Sequence, residues 1–220
     1  MNAPMGETKG FAAQLWAETK ALHVQAERSG MMARILRGRA TRHGHALMLR
    51  NLLPAYIELE RALERHRESP EVGLFARPEI YRVAALIADL EAHEGAGWRS
   101  VLALLPEAGR YAEAIARAGA GDGAGLIAHA YTRYLGDLSG GQIMQTVLAK
   151  NLGFGTGELA FYRFDGIADI AVFKAEYRIN LDRAGAAIVD PARVLNEALV
   201  AFRHNMAISE AVDALESGVS

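Results

Sequence analysis

The chain has no cysteine, which removes disulfide frameworks, thiolate zinc sites, cysteine-held iron–sulfur clusters and cysteine nucleophiles together. Any metal therefore has to sit on histidine or carboxylate. It also lacks an excess of positive charge: 24 Lys and Arg stand against 26 Asp and Glu, a net of −2. Phosphate backbones demand a basic surplus, so nucleic acid is not expected as a partner. No window approaches the ~20 uncharged apolar residues of a membrane span, and residues 1–10 are polar, without the apolar segment of a secretory leader. These absences predict a cytoplasmic protein with no membrane anchor. Strand signals are missing too, with no sustained period-2 alternation and no hairpin turn between β-branched runs. What remains is 220 residues, 51% hydrophobic and 23% charged. That suffices for one globular domain burying roughly 70% of its unfolded surface.

Apolar residues recur at helical spacing nearly throughout, so the expectation is an all-α, single-domain fold over residues 1–220, with an ordered helical core at about 8–217. A first helix is expected at 8–28 with Phe11, Leu15, Leu22 and Ala26 on one face and Thr19 filling the gap. Ser29-Gly30 stops it. A short piece at 31–36 leads to a long helix at 41–68, with Leu47, Leu52, Tyr56, Leu59 and Leu63 as its buried stripe and a kink at Pro54. Pro78-Glu79 predicts another helix start, ending at Glu94-Gly95, followed by helices at 98–105 and 107–117. The glycine-rich stretch 119–125 reads as a connection, 126–152 as a helix interrupted by glycines, and 153–157 as a loop. Helices at 168–183 and 191–216 complete the chain, the last announced by Asp190 as N-cap and Pro191 behind it.

Several chemistries fail on spacing. The glycine-rich stretches follow helices instead of strands, so they do not make a dinucleotide fingerprint, and no phosphate-binding loop with its lysine occurs. No histidine has a glutamate three residues before it, which excludes a ferritin-like di-iron site. His43 and His45 are two apart and point to opposite sides of a helix, so both are expected on the surface. His66, His93 and His204 read as solvated, and His129, among apolar neighbours, as a hydrogen-bonded interior residue.

The informative segment is Tyr131-Thr-Arg-Tyr-Leu-Gly-Asp-Leu-Ser-Gly-Gly-Gln142. Each glycine inside a helix costs about 1 kcal/mol relative to alanine, which something should offset. Gly136 and Gly140 are four apart and share a face, where bare backbone could lie close to a flat ligand. A simple kink or a tight helix contact would explain them equally well. Asp137, beside that face, has Tyr131, Arg133 and Tyr134 within reach and could hold ordered water, or merely pair with Arg133. On the first helix His23 has Glu27 one turn later, which could orient its second ring nitrogen; a plain amphipathic-face histidine is the alternative. Lys174 and Arg178 form an i,i+4 basic pair and Lys20 precedes His23 by a turn, a set of cations suited to a dicarboxylate if they border one pocket.

The string YTRYLGDLSGGQ, together with KALHVQAE at 20–27 and FKAEYR at 173–178, closely resembles the heme oxygenases, and the similarity runs from about residue 15 to 205. The resemblance implies oxidative opening of heme by O₂ and external electrons to biliverdin, carbon monoxide and ferrous iron, with heme as both substrate and cofactor. It implies a fold in which heme lies between a proximal helix and a glycine-kinked distal helix. His23 then looks like the iron ligand, with Glu27 behind it, and Gly136 and Gly140 look like the distal face. Asp137 matches the family's distal aspartate, which holds a water near the reacting oxygen, and by the same match its network includes Tyr56, Tyr111, Arg133 and Asn205. Lys20, Tyr131, Lys174 and Arg178 match positions that grip the propionates; Thr132, Ser139 and Phe202 match pocket-lining positions. Trp16 departs from the pattern, standing where some members have a second propionate-facing lysine. No flavin or nicotinamide motif is present, so the resemblance implies a separate electron donor, a ferredoxin or an NAD(P)H-dependent reductase. A heme store, carrier or sensor would need His23 but not the glycine face with Asp137, and a cofactor-free helical interaction protein would leave the glycines unexplained.

Overall fold

The computed structural model describes residues 10–218, and among these it contains helices and no strand. In chain order they are α1 (Phe11–Arg28), α2 (Gly30–Leu36), α3 (Arg42–Arg65), α4 (Val83–Glu94), α5 (Trp98–Val101), α6 (Pro106–Ala118), α7 (Gly125–Ala130), α8 (Gly136–Leu152), α9 (Ile170–Ala187) and α10 (Pro191–Glu216). Between α7 and α8 the chain winds through a π-helical stretch, Tyr131–Leu135. Residue 8, where α1 was expected to begin, lies outside the described residues.

The core is built around α3, which packs on α4, α6, α7 and α10. Its expected stripe is buried, but so are Ala46, Met48, Leu49, Leu53, Ala55 and Ala62, because neighbouring helices enclose its first half on several sides, while Arg61, Glu64 and Arg65 keep an exposed polar face near its C-terminal end. Cutting one of its buried leucines to alanine is expected to cost ~2–5 kcal/mol. The helix continues through Pro54, so the expected kink does not end it.

Enclosure also overturns an expectation: His45 is fully buried on α3, with Nε2 and the Tyr162 hydroxyl 3.0 Å apart in a hydrogen bond. Burial, with His93 adding to it, pushes its pKa down to about 3, so the ring is neutral. His43 is exposed as expected. His66 and His93 are half-buried instead of solvated, donating from Nε2 to the Gly119 carbonyl at 2.9 Å and the Glu158 carbonyl at 2.8 Å. His204 stacks on Tyr111 at 5.4 Å. His129 is the interior histidine expected, bonded through Nε2 to Glu197 Oε1 at 2.9 Å.

Two helix boundaries differ from the sequence expectation for a non-local reason. Pro78–Ile80 forms only a 3₁₀ turn, and α4 starts at Val83, because its first free N–H groups, on Arg82 and Val83, are capped by the Glu60 carboxylate reaching over from α3. The helix expected at 98–105 stops at Val101. Beyond it Asn51 of α3 holds the backbone, donating to the Ala103 carbonyl at 3.0 Å and accepting from Leu105 N at 2.7 Å. Local caps behave as expected where they exist. Asp190 accepts from Arg193 N at 3.0 Å at the start of α10, and Gly153, at φ +66°, closes α8 in the left-handed conformation that glycine favours. The helix α10 packs on both α1 and α7, so one rigid element spaces the two walls that carry the candidate residues.

Candidate active site

The distal wall begins with the π-helical stretch. A π turn widens the helix and changes the register in which side chains leave it, and here it ends directly at Gly136. Sequence reasoning placed the interruption on the glycines; the backbone departs from α-helix one turn earlier. The glycines divide into two kinds. A Cβ built on Gly136 or Gly140 meets nothing within 4 Å, so this face is open, whereas one on Gly141 meets the Tyr162 carbonyl at 3.5 Å. Gly136 and Gly140 therefore leave room for a flat molecule, and Gly141 serves packing against 160–162.

Beside the open face lies a closed polar network. Arg133, buried, donates from Nε at 2.9 Å and Nη2 at 2.7 Å to the Tyr56 hydroxyl, from Nη2 to Asp137 Oδ1 at 3.0 Å, and from Nη1 to Asn205 Oδ1. With its own proton Tyr56 donates to Asp137 Oδ2. Four elements thus join in one network: Tyr56 of α3 and Arg133 of the π stretch bond the Asp137 carboxylate of α8, and Asn205 of α10 holds Arg133. The Asp137 side chain is 11% exposed, and burial pushes its carboxyl above the usual range despite the opposing pull of Arg133 and Tyr56. Burial works against the Arg133 charge, but Tyr56 and Asp137 hold it above its ordinary value, so it stays cationic. Tyr111, expected in this network, makes no direct bond to it; its buried hydroxyl has no partner. Burial raises that phenol, with Arg133 opposing and Asp137 reinforcing, which places it within the network's field. The buried hydroxyls of Thr132 and Tyr134 are likewise unpartnered.

The proximal wall is α1. His23 is half-exposed, with Nδ1 3.6 Å from Glu27 Oε1, too long for a hydrogen bond. Its ring lies between Trp16, edge-on at 5.9 Å, and Phe202 of α10, at 6.2 Å. Phe202 and Asn205 sit three apart on α10, so one turn of that helix touches the His23 ring and holds the Arg133 guanidinium. A second tie was not foreseen as such: buried Thr19, one turn before His23, bonds to the Tyr131 hydroxyl at 3.1 Å. The signal for it was only a polar residue in an apolar stripe. Lys20 and Arg178 are exposed and Lys174 half-exposed on the adjacent helices α1 and α9. The Arg178 charge is felt at the Tyr131 phenol. Among the described residues none of these three cations forms an ion pair. Ser139 is exposed on α8.

A helical wall with an open glycine face and a buried carboxylate network, tied through one helix to a wall with an accessible imidazole and unpaired cations, fits a flat, anionic, metal-bearing ligand. The comparisons agree. The heme oxygenase family model matches residues 9–211. Heme oxygenase 1 of Homo sapiens is 37% identical over 200 residues, covering 90% of this chain and 69% of the human protein. Heme oxygenase 1 of Nostoc sp. PCC 7120 is 36% identical, covering 90% and 84%. The crystal structure of heme oxygenase-1 from Synechocystis sp. PCC6803 in complex with heme superposes with a TM-score of 0.85 at 30% identity, covering 96% of this chain and 94% of that one. Heme oxygenase from Leptospira interrogans gives 0.86 at 31%, covering 92% and 99%. The chain belongs to the heme oxygenase family, the oxidoreductases that convert heme to biliverdin. Among the described residues no helix is long and apolar enough to cross a membrane.

Proposed function

We propose that this chain opens heme to biliverdin, carbon monoxide and ferrous iron in a single domain spanning residues 1–220, with His23 as the protein ligand to iron and Gly136 and Gly140 facing the ring. The carrying observation is the open glycine face directly beside the buried Tyr56–Arg133–Asp137–Asn205 network. Heme, bound as substrate, supplies the iron at which O₂ is reduced and the ring that is opened.

The rest falls to the chain's own side chains. His23 supplies one imidazole, with Glu27 behind it. Bare backbone at Gly136 and Gly140 admits the ring and leaves no side chain to obstruct oxygen. Lys20, Lys174 and Arg178 offer charge to the propionates; Tyr131, Thr132, Ser139 and Phe202 border the same space. Asp137 holds and releases protons on its oxygen side: burial weakens its acidity, which brings the group nearer the pH at which it must exchange. Arg133 and Tyr56 fix both carboxylate oxygens, Asn205 restrains Arg133, and the unpartnered Tyr111 hydroxyl offers a water its second anchor. Electrons come from a ferredoxin or an NAD(P)H-dependent reductase docking in the cytoplasm on a partly basic surface near the exposed heme edge. High salt should then suppress donor-driven turnover while heme affinity stays unchanged.

The test is to add hemin to the purified protein, then a reductase system in air with catalase present. The expected result is decay of the heme band into a biliverdin spectrum, with carbon monoxide trapped by myoglobin. A stable heme spectrum under a competent reductase would instead describe a heme carrier.

A further inference from the structure

The His23 imidazole makes no hydrogen bond to the carboxylate behind it. Glu27 Oε1 stands 3.6 Å from Nδ1, and both side chains are substantially exposed. An exposed pair at that separation contributes little to orientation. Yet a ligand imidazole has to be held at one χ1 and χ2 with Nε2 outward, and conserving that direction needs a contact with its own angular preference. The ring has two such contacts, both aromatic. Phe202 approaches from α10 at 6.2 Å and 58°, and Trp16 from two turns earlier on α1 at 5.9 Å and 62°, in edge-to-face geometry. The two differ in what else they do: Phe202 is part of the buried core, whereas Trp16 is 51% exposed. The chain's other tryptophan, Trp98, is fully buried. An indole left half in water, leaning on one imidazole, is poorly explained by core packing.

We infer that Trp16 is a positioning residue for the iron ligand: its edge contact fixes the His23 ring while Nδ1 faces Glu27, so that Nε2 is presented for ligation. The inference rests on His23 as the ligand proposed above. Because the contact is aromatic, a ring of smaller size preserves it and a positive charge does not. That separates this role from the alternative of gripping a propionate, for which lysine would be the better residue.

The experiment compares Trp16→Phe, Trp16→Ala and Trp16→Lys. In heme-free protein, the His23 ring-proton resonances shift in the Ala and Lys variants as the indole ring current is lost, and remain closer to the parent in the Phe variant. In the hemin complex, heme transfer to apomyoglobin accelerates about fivefold for Ala and stays within about twofold for Phe. The iron–histidine stretching band of the ferrous complex broadens in the same order. Thermal midpoints stay level across the set, because the residue is half exposed. A Phe variant that loses heme as fast as the Ala variant overturns the inference, as do His23 resonances that do not move in the Ala variant. A parent complex with no iron–histidine band overturns the ligand assignment itself. A parent with that band, and variants indistinguishable from it, overturns the role of Trp16 alone.

Discussion

The two walls of the site are built on opposite principles. On the distal wall Arg133, Tyr56, Asp137 and Asn205 are joined donor to acceptor, with the ion pair almost entirely out of water. On the proximal wall His23 is half-exposed and touches aromatic edges, with no hydrogen bond to its neighbouring carboxylate. The distal groups must keep a fixed electrostatic arrangement without help from a ligand bond, so the protein invests folding energy there. As the proposed iron ligand, the imidazole would gain its final restraint from that bond, so loose contacts suffice beforehand.

That contrast predicts where a substitution unfolds the protein and where it only disarms it. Arg133→Met leaves Asp137 buried without its cation and should destabilise the fold by ~3–5 kcal/mol, measured by urea titration. Replacing both partners, Arg133→Met with Asp137→Leu, should recover most of that loss, since no uncompensated charge remains. His23→Ala should shift stability by no more than about 0.5 kcal/mol yet abolish the ligated heme spectrum. Comparable unfolding by the single Arg133 and His23 variants would erase the distinction between the walls.

The glycines sharpen the comparison within the distal wall itself. Gly140→Ala places a methyl where nothing lies within 4 Å, so the heme-free protein should be stabilised, by up to about 1 kcal/mol. The same methyl intrudes on the face assigned to heme, and turnover should fall on the order of 10²-fold. Gly141→Ala meets the Tyr162 carbonyl at ordinary contact distance, 3.5 Å, and faces away from that space, so turnover should stay within about threefold of the parent, a change worth less than 1 kcal/mol. Calorimetry paired with hemin turnover separates the two, and equal activity in both would remove the heme from the Gly140 face.

What could be read from the sequence was local or carried by a dense motif. Helical periodicity gave the all-α class, Asp190 and Pro191 marked the start of α10, and the Tyr131–Gln142 string drew attention to Arg133, Gly136, Asp137 and Gly140 before any geometry was known. What could not be read depends on partners far along the chain. Glu60 sets the start of α4 from another helix, Asn51 stops α5, and burial of His45 follows from how many helices surround α3. The π stretch could not be read, because the middling helix propensities of its tyrosines and threonine do not distinguish a π turn from an α turn. His23 was the hardest case, since an amphipathic-face histidine and an iron ligand look alike in a sequence, and only the family resemblance set them apart.

The smallest expected effect concerns pH, and it too divides the molecule. Glu197 on α10 has its carboxyl lowered, chiefly by the hydrogen bond from His129. Its stabilising contribution is present above the usual glutamate range and lost as pH falls through the lowered value. Asp137 runs the other way. Burial raises its carboxyl, so folding disfavours its charged form relative to the unfolded chain, and stability from this group declines as pH rises from the unfolded value through the folded one. If the carboxylate is the working form, turnover should fall on acidification at a pH above the ordinary aspartate range, while the fold is still intact. Asp137→Asn should lower turnover and remove that acid limb from the pH–rate profile. A limb that persists unchanged in Asp137→Asn would assign the titration to another carboxyl raised by burial, Glu60 or Asp89. Both of those cap backbone N–H groups away from the glycine face, so the acid limb would then report loss of structure instead of loss of a proton acceptor.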